Sequence, residues 1–413
     1  MKILRISSEL YPHVVGGVGL HVHDLSHDQI DNGDDITICT CLADAETGFI
    51  SRENPSVYNL GRRFVLFGNT FCLNLLPILW KKCQEYDIVH AHSHLYISTF
   101  LCAVVRRFKK FPLVITNHGL ISQSVPAWFQ NLYNKTAGRF IFSTADCIIS
   151  YTKEEKEIIA SFGVDTKHVC IIHNGIKVER FLTPLDVPKK KQLLWIGRYV
   201  SGKGARYLLE GFAGFAVNHP EYRLLMVGRG PEKEDMVQLA ESLSISDKVL
   251  MVDFIPNDEL QAVYQESEIF VSSSLAEGVP KTMLEAMVCG LPVISTDLPQ
   301  LIDIVEDCGI IVPVKDSAAI SSALEEMVSH PEKMQEYGVN SRRKVLENYD
   351  WRDTVLKTTE LFDTLSQSIL SKCVLNEAVE DSLITEVMRK NTIHYCIDAS
   401  NTMHFICSYA CIS

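Results

Sequence analysis

Apolar residues along this chain gather into short runs separated by amphipathic stretches, and the alternation is regular enough to assign elements. In the first part, strand-like runs are Ile3–Ser7, Ile36–Cys41, Ile88–His92, Leu113–Thr116, Cys147–Ser150 and Val169–Ile172. Helical spacing of apolar positions fills several of the gaps, as in Leu20–Asn32 and Lys153–Phe162. Strands alternating with helices predict a parallel, doubly wound sheet, because a parallel pair needs a crossover and a helix supplies one.

A polar, proline-bearing stretch, Thr183–Lys191, interrupts the pattern and reads as a linker. The pattern then restarts, with strands at Leu193–Ile196, Arg223–Val227, Val249–Val252, Ile269–Ser272, Val293–Ser295 and Ile310–Val312. Helices are predicted at Ala205–Val217, Glu232–Ser242, Asp258–Glu266, Pro280–Cys289 and Ala318–Val328. The expected fold is therefore α/β, with one Rossmann-like domain over residues 1–182 and another over 192–350, joined by the linker 183–191. Trp351–Ile369 reads as one long helix inside a segment 351–374, and the tail 375–413 has no assigned role.

Composition changes this picture little: 46% hydrophobic and 22% charged residues are ordinary for a soluble globular chain. Charge says more. The net value of −12 argues against nucleic acid as a partner. It is also uneven: residues 1–182 hold 18 Lys+Arg against 17 Asp+Glu, and the remainder 21 against 34. The first half contains Arg106, Arg107, Lys109 and Lys110, with Phe108 and Phe111 among them. This cluster is either a solvated helix end or a contact with anionic lipid or an anionic acceptor. The 13 cysteines include no Cys-x-x-Cys pair, so they read as small buried hydrophobes in a reducing compartment. The first ten residues lack the long apolar stretch of a secretory signal, and the run around Phe71–Trp80 contains Pro77 and is too short to span a bilayer. A cytoplasmic protein is expected, working at the inner face of the membrane if the basic cluster meets lipid.

Four segments fall at carboxyl ends of predicted strands, where ligands of doubly wound sheets bind. Gly16-Gly17-Val18-Gly19 opens a helix after the first strand, and such glycines let backbone N–H groups approach a phosphate. A structural turn explains that loop equally well, and its spacing is not the Gly-x-Gly-x-x-Gly of a dinucleotide site. Gly197-Arg198, followed by Lys203-Gly204, offers two cations suited to a diphosphate leaving group; two surface cations are the alternative. Asn117-His118-Gly119 carries an imidazole that suits a sugar hydroxyl or a proton, or is a satisfied structural histidine. Most informative is Glu277 through Glu285, in which Pro280 suits a first helical turn and Gly290 a stop. One carboxylate then precedes a helix N-terminus and a second lies further along that helix.

These segments, in this order, resemble the retaining, GT-B-fold glycosyltransferases of family 4, over residues 1 to about 370. The motifs that carry the resemblance are the Gly-Gly loop, His118-Gly119, the turn Asn174–Ile176, Gly-Arg…Lys-Gly, Val227–Pro231 and the Glu-x7-Glu of Glu277 and Glu285. The opening Ser8-Glu-Leu-Tyr-Pro12 also looks like the start of starch and glycogen synthases, so a glucan-synthase branch stays open.

The resemblance implies two domains facing a cleft, the first binding a glycan or lipid-linked acceptor and the second a nucleoside-diphosphate sugar. It implies that Arg198 and Lys203 neutralise the departing diphosphate while Gly16 and Gly17 approach it from the opposite wall. Glu277 would hold donor-sugar hydroxyls together with the backbone of Gly278 and Val279, Glu285 the ribose, and His118 the sugar pocket. Backbone near Gly228 would frame the base, and the last helix would cross back to the first domain. The transferred group would be a hexose or N-acetylhexosamine, with retention of configuration. Where the family often carries an acidic residue after the Asn-Gly-hydrophobe turn, this chain has Lys177. Neither a metal nor another cofactor is expected: no Asp-x-Asp occurs, and His90, His92 and His94 lack the carboxylate or cysteine that usually completes a site.

Overall fold

A computed structural model describes residues 1–13, 16–42, 46–61, 65–66, 69–70, 72–120, 125–182 and 187–367, with 395–397 and 403–405. Residues 183–186 of the expected linker, and most of the tail after 367, lie outside the described residues. The chain divides into two compact units, Met1–Glu360 and Leu361–Ser413. In the second, helical residues 361–367 and the antiparallel pair Tyr395–Ile397 with Met403–Phe405 are described.

The first unit contains both sheets. It begins with β1 (Lys2–Ile6), α1 (Gly17–Asp31), β2 (Asp35–Thr40), β3 (Gly48–Ser51) and β4 (Ser56–Asn59), then the small hairpin β5 (Val65–Leu66) with β6 (Asn69–Thr70). Next come α2 (Leu75–Lys82), β7 (Ile88–His92), α3 (Ile97–Phe108), β8 (Leu113–Thr116) and α4 (Ala127–Tyr133). The segment ends in α5 (Arg139–Thr144), β9 (Cys147–Ser150), α6 (Lys153–Ser161) and β10 (Val169–Ile171). Its eight-stranded sheet runs β10-β9-β8-β7-β1-β2-β4-β3, parallel except for β3 at the edge. The core is Leu4, Ile6, Val89, Ala91, Leu113 and Ile115, covered by Leu101, Cys102 and Ile141 of α3 and α5.

The second sheet is built from β11 (Gln192–Ile196), α7 (Ala205–Asn218), β12 (Arg223–Val227), α8 (Lys233–Ser242), β13 (Val249–Val252), α9 (Asn257–Glu266) and β14 (Ile269–Ser272). It continues with α10 (Lys281–Val288), β15 (Val293–Thr296), α11 (Pro299–Val305), β16 (Gly309–Val312), α12 (Ser317–Ser329) and α13 (Pro331–Asn348). Six parallel strands take the order β13-β12-β11-β14-β15-β16. Both faces are buried, as continuous apolar strands require: Leu193 and Trp195 pack against α7, while Leu194 faces Met283, Leu284 and Met287 of α10. Order reverses beside β11 here and beside β1 in the first sheet, the switch points at which doubly wound folds bind ligands.

Two features depart from the sequence reading. Cys41 and Cys72 are joined by a disulfide across 31 residues, whereas seven other described cysteines are free. The connection from β2 to its parallel neighbour β4 runs through β3, and no helix is described between them.

Candidate active site

Loops at the carboxyl ends of the two sheets meet, because a Cβ built on Gly278 would lie 3.7 Å from the carbonyl oxygen of His118. On the second sheet, the loop after β11 is tied to the loop after β14: Leu275 N–H donates to the Gly202 carbonyl (2.8 Å) and the Ser273 hydroxyl to the Lys203 carbonyl (3.1 Å). Gly204 makes this closeness feasible. Its φ is +62°, and a Cβ there would stand 2.0 Å from the Ser273 carbonyl oxygen. Lys203 is thereby held against Glu277, its Nζ donating to Oε2, which also accepts from the Ser274 hydroxyl at 3.2 Å. Ser274 is fixed in turn by Thr296, whose hydroxyl donates to its carbonyl at 2.6 Å.

Directly after Glu277, α10 begins with Pro280 at its N-cap and no side-chain cap, so its first N–H groups are not satisfied by a capping side chain. Val279 turns its side chain into the core, which leaves only its backbone for the cleft. Gly228 has φ +154°, and a Cβ there would fall 1.7 Å from the Gly197 carbonyl oxygen, so only glycine lets these strand exits cross. Arg198 is exposed after β11, and its charge reaches the phenol of Tyr96 in the first half.

From the opposite wall comes α1, with Gly16 as an extended, uncapped N-cap. No atom lies within 4 Å of a Cβ position at Gly17, and one at Gly16 would meet Glu9 Oε2 at 3.3 Å. Glu9 accepts from the Tyr96 hydroxyl at 2.8 Å. Burial, and then the Glu9 carboxylate, push that phenol above its ordinary range.

His118 sits in a stack of histidines. Its Nε2 is 2.9 Å from Nδ1 of His92 and its Nδ1 is 2.8 Å from the Tyr151 hydroxyl, so both ring nitrogens are engaged. Burial, and then the charge of Lys281, push its pKa down to about 3. The imidazole is therefore neutral and a poor proton acceptor at physiological pH, which favours hydrogen bonding over proton transfer. His90 and His92 are likewise held well below the usual range by burial, and His94, between Asn117 and Asn134, at about 4. His21 of α1 completes the group with its Nδ1 3.0 Å from Asn174 Oδ1. Among the described residues His21, His92 and His118 form the one set of three metal-type ligands, with one nitrogen each within 4.8 Å of the others.

Glu285 is half-buried deeper along α10 and accepts from the Tyr264 hydroxyl at 2.8 Å, with burial raising its pKa. It lines a cavity of about 470 Å³ with Asp24, Lys177, Arg180 and Lys281. Lys177 faces Asp24 (3.7 Å) and Asp28 (3.4 Å) of α1, so a cation at this turn is matched by acids on the facing helix. Trp351 also bridges here: its indole N–H donates to Asp28, and Lys281 Nζ lies 4.9 Å from its ring centroid.

Arg198, Lys203, Glu277, Gly278, His118, Gly16 and Gly17 thus converge on one region, whereas Gly228 and Glu285 flank it. Glu9, Tyr96, Ser274 and Lys281 are cleft residues that motif reading passed over. Glu9 and Lys281 had a signal, since they stand inside the Ser8–Pro12 and Glu277–Glu285 segments, where no role was given to them; Tyr96 had none.

Comparison with known proteins identifies the family and the fold. The model for Glycosyltransferase Family 4 matches residues 15–180, and that for Glycosyl transferases group 1 matches residues 182–344. An uncharacterized glycosyltransferase of Methanocaldococcus jannaschii is 24% identical over 386 residues, covering 88% of this chain and 98% of that protein. A phosphatidylinositol N-acetylglucosaminyltransferase polypeptide from Arabidopsis thaliana is 25% identical over 377 residues, covering 88% of this chain and 82% of that one. Among solved structures, Anabaena HepE in complex with UDP-glucose superposes with a TM-score of 0.68 at 18% identity, over 91% of this chain and 99% of that one. The chain belongs to the family 4 glycosyltransferases: it is a nucleotide-sugar-dependent enzyme of the GT-B fold.

Proposed function

We propose that this enzyme moves a hexose or N-acetylhexosamine from a UDP-sugar to a glycan or lipid-linked acceptor, with retention of configuration and without a metal. The observation that carries the reading is the pairing of Lys203 with Glu277 beside an uncapped α10, facing the uncapped α1. In sugar transfer, positive charge develops at the anomeric carbon while negative charge builds on the diphosphate. Arg198, Lys203 and the two helix N-termini are the groups that stabilise that diphosphate. Glu277, released from Lys203 when the donor arrives, holds sugar hydroxyls with the N–H groups of Gly278 and Val279. Glu285 takes the ribose and the backbone at Gly228 frames the base. His118 lines the sugar pocket as a neutral hydrogen-bonding group. UDP is favoured because HepE was crystallised with UDP-glucose, and N-acetylglucosamine because of the Arabidopsis relative.

No helix among the described residues is long and apolar enough to cross a membrane. Contact with an acceptor lipid then falls to Arg107, Lys109 and Lys110, at the end of α3. Exposed Phe108 and Trp80 adjoin them, ring centroids 6.4 Å apart, with Lys109 Nζ 5.1 Å from the indole. Arg106 leaves this group, since it forks onto Asp146 at 3.2 and 2.9 Å.

The test is a thermal-shift screen against UDP, GDP, ADP and their common sugars, with and without chelator, followed by transfer assays on glycolipid and glycogen acceptors. A chelator-insensitive shift with UDP of about 2–4 °C at saturation is expected. Transfer onto glycogen alone would support the glucan-synthase branch instead, and no shift with any nucleotide would point to a degenerate binding protein.

A further inference from the structure

The edge of the first sheet carries a groove that none of these roles uses. In a doubly wound sheet, the crossover from β2 to β4 would normally lay a helix beside α1. Here that connection contains the edge strand β3, and among the described residues no helix covers the sheet next to α1. The result is a cavity of about 360 Å³ between α1 and strands β2, β3 and β4. Ile38 and Val57 form its floor, exposed Ile50 stands at its rim, and Tyr11, His13, His23, His27 and Glu53 supply rings and polar groups. It starts at Leu10–His13, next to Glu9 in the cleft, and ends at Glu53–Pro55 before β4.

We propose that this groove is a subsite for a neutral saccharide, receiving the part of the acceptor beyond the sugar that reacts. The inference rests on the transferase reading above. Four observations select this occupant. Among the described residues no lysine or arginine lines the groove, and Glu53 does, so an anionic headgroup is disfavoured. Burial, and then the neighbouring His23, lower the pKa of His27, whose ring stands 4.4 Å from that of His23. A neutral imidazole offers one donor and one acceptor, the pattern that hydroxyls match. Tyr11, 37% exposed at the mouth and 5.3 Å from the His23 ring, supplies with Ile38, Ile50 and Val57 the apolar surface that a sugar's C–H face covers. Finally, fourteen residues line the groove, fewer than the 20–30 on each side of a stable protein interface, and its volume is that of a small-ligand site.

The test is direct binding, without donor, of maltotriose, N,N′-diacetylchitobiose and mannotriose to the full chain by saturation-transfer NMR. Tyr11→Ala and Ile50→Trp, the second filling the groove from its exposed rim, are compared after circular dichroism has shown both to be folded. At least one saccharide is expected to bind, and both variants to weaken it by roughly tenfold or more. Absence of binding by all three at millimolar concentration overturns the proposal, as does binding that neither variant changes. A dimer in size-exclusion chromatography that Ile50→Trp dissociates would assign the groove to a second copy and equally overturn it. A UDP thermal shift on the same wild-type sample separates the two readings: its loss removes the donor reading and leaves the saccharide result standing.

Discussion

Lys203 and Glu277, 74 residues apart, form an ion pair in the cleft with their side chains 16% and 14% exposed. Under the proposed function this pair keeps each charge compensated until a donor competes for both; the cation would then stabilise the leaving group and the carboxylate would turn to the sugar.

Removing either cation at the diphosphate should therefore cost chemistry and leave the fold intact. Lys203→Ala and Arg198→Ala are each expected to lower kcat by roughly 10²–10³, and Lys203→Ala to abolish the UDP thermal shift. Near-normal turnover in both variants would sink the electrostatic role.

The histidine stack makes a distinct prediction about pH. Folded-state pKa values of about 4 for His94 and about 3 for His118, with His21, His90 and His92 also lowered, lie below the unfolded value near 6.5. The unfolded chain binds these protons first, so the stability they contribute is complete above pH 6.5 and is lost as pH falls toward 4. His94 and His118 each remove at most about 1.4 kcal/mol per pH unit in that window. Urea midpoints measured from pH 7.5 to 4.5 should fall steeply, and His94→Gln should flatten the slope. A flat profile would mean that the stack is not held neutral.

Trp351 joins Leu25 and Val355 in a small buried cluster and donates its indole N–H to Asp28. Trp351→Phe keeps the packing and removes a hydrogen bond to a charged group, at about 1.5–3 kcal/mol. Trp351→Ala removes both and should cost about 3–5 kcal/mol. Equal losses in chemical denaturation would show that the hydrogen bond contributes everything and the packing nothing, contrary to this account.

At the α3 end, the aromatic and basic groups should act together. Flotation with vesicles rich in anionic lipid is expected for the wild-type chain and to drop in Phe108→Ala and in Lys109→Glu, with neutral vesicles binding poorly. Arg106→Gln should act through Asp146 and lower stability rather than flotation. Equal binding to neutral and anionic vesicles would remove the membrane contact.

Strand positions were readable to within about a residue because fully buried parallel strands are continuous apolar runs, as at Cys147–Ser150 and Ile269–Ser272, which match the structure end for end. The edge strand β3 and its neighbour β4 were missed because half-exposed sequences such as Gly48-Phe-Ile-Ser51 carry no such run. Glycine loops and the Glu-x7-Glu segment were readable because close backbone approach demands particular residues at particular spacings. Nothing in the spacing of Tyr96 or Trp351 announced that they would meet Glu9 and Asp28, or that Lys281 would lie over the indole.

What this sequence determined alone is the set of local periods and turn residues: two parallel sheets, the loops at their strand ends, and a family signature in those loops. Those are short-range properties, written in the residues that adopt them. Only the tertiary structure decided which charges compensate each other, that both ring nitrogens of His118 are engaged, and that Lys177 meets Asp24 and Asp28. Each depends on side chains brought together by crossovers far apart in the chain, and on a burial that sets how strongly a charge or a ring nitrogen needs its partner.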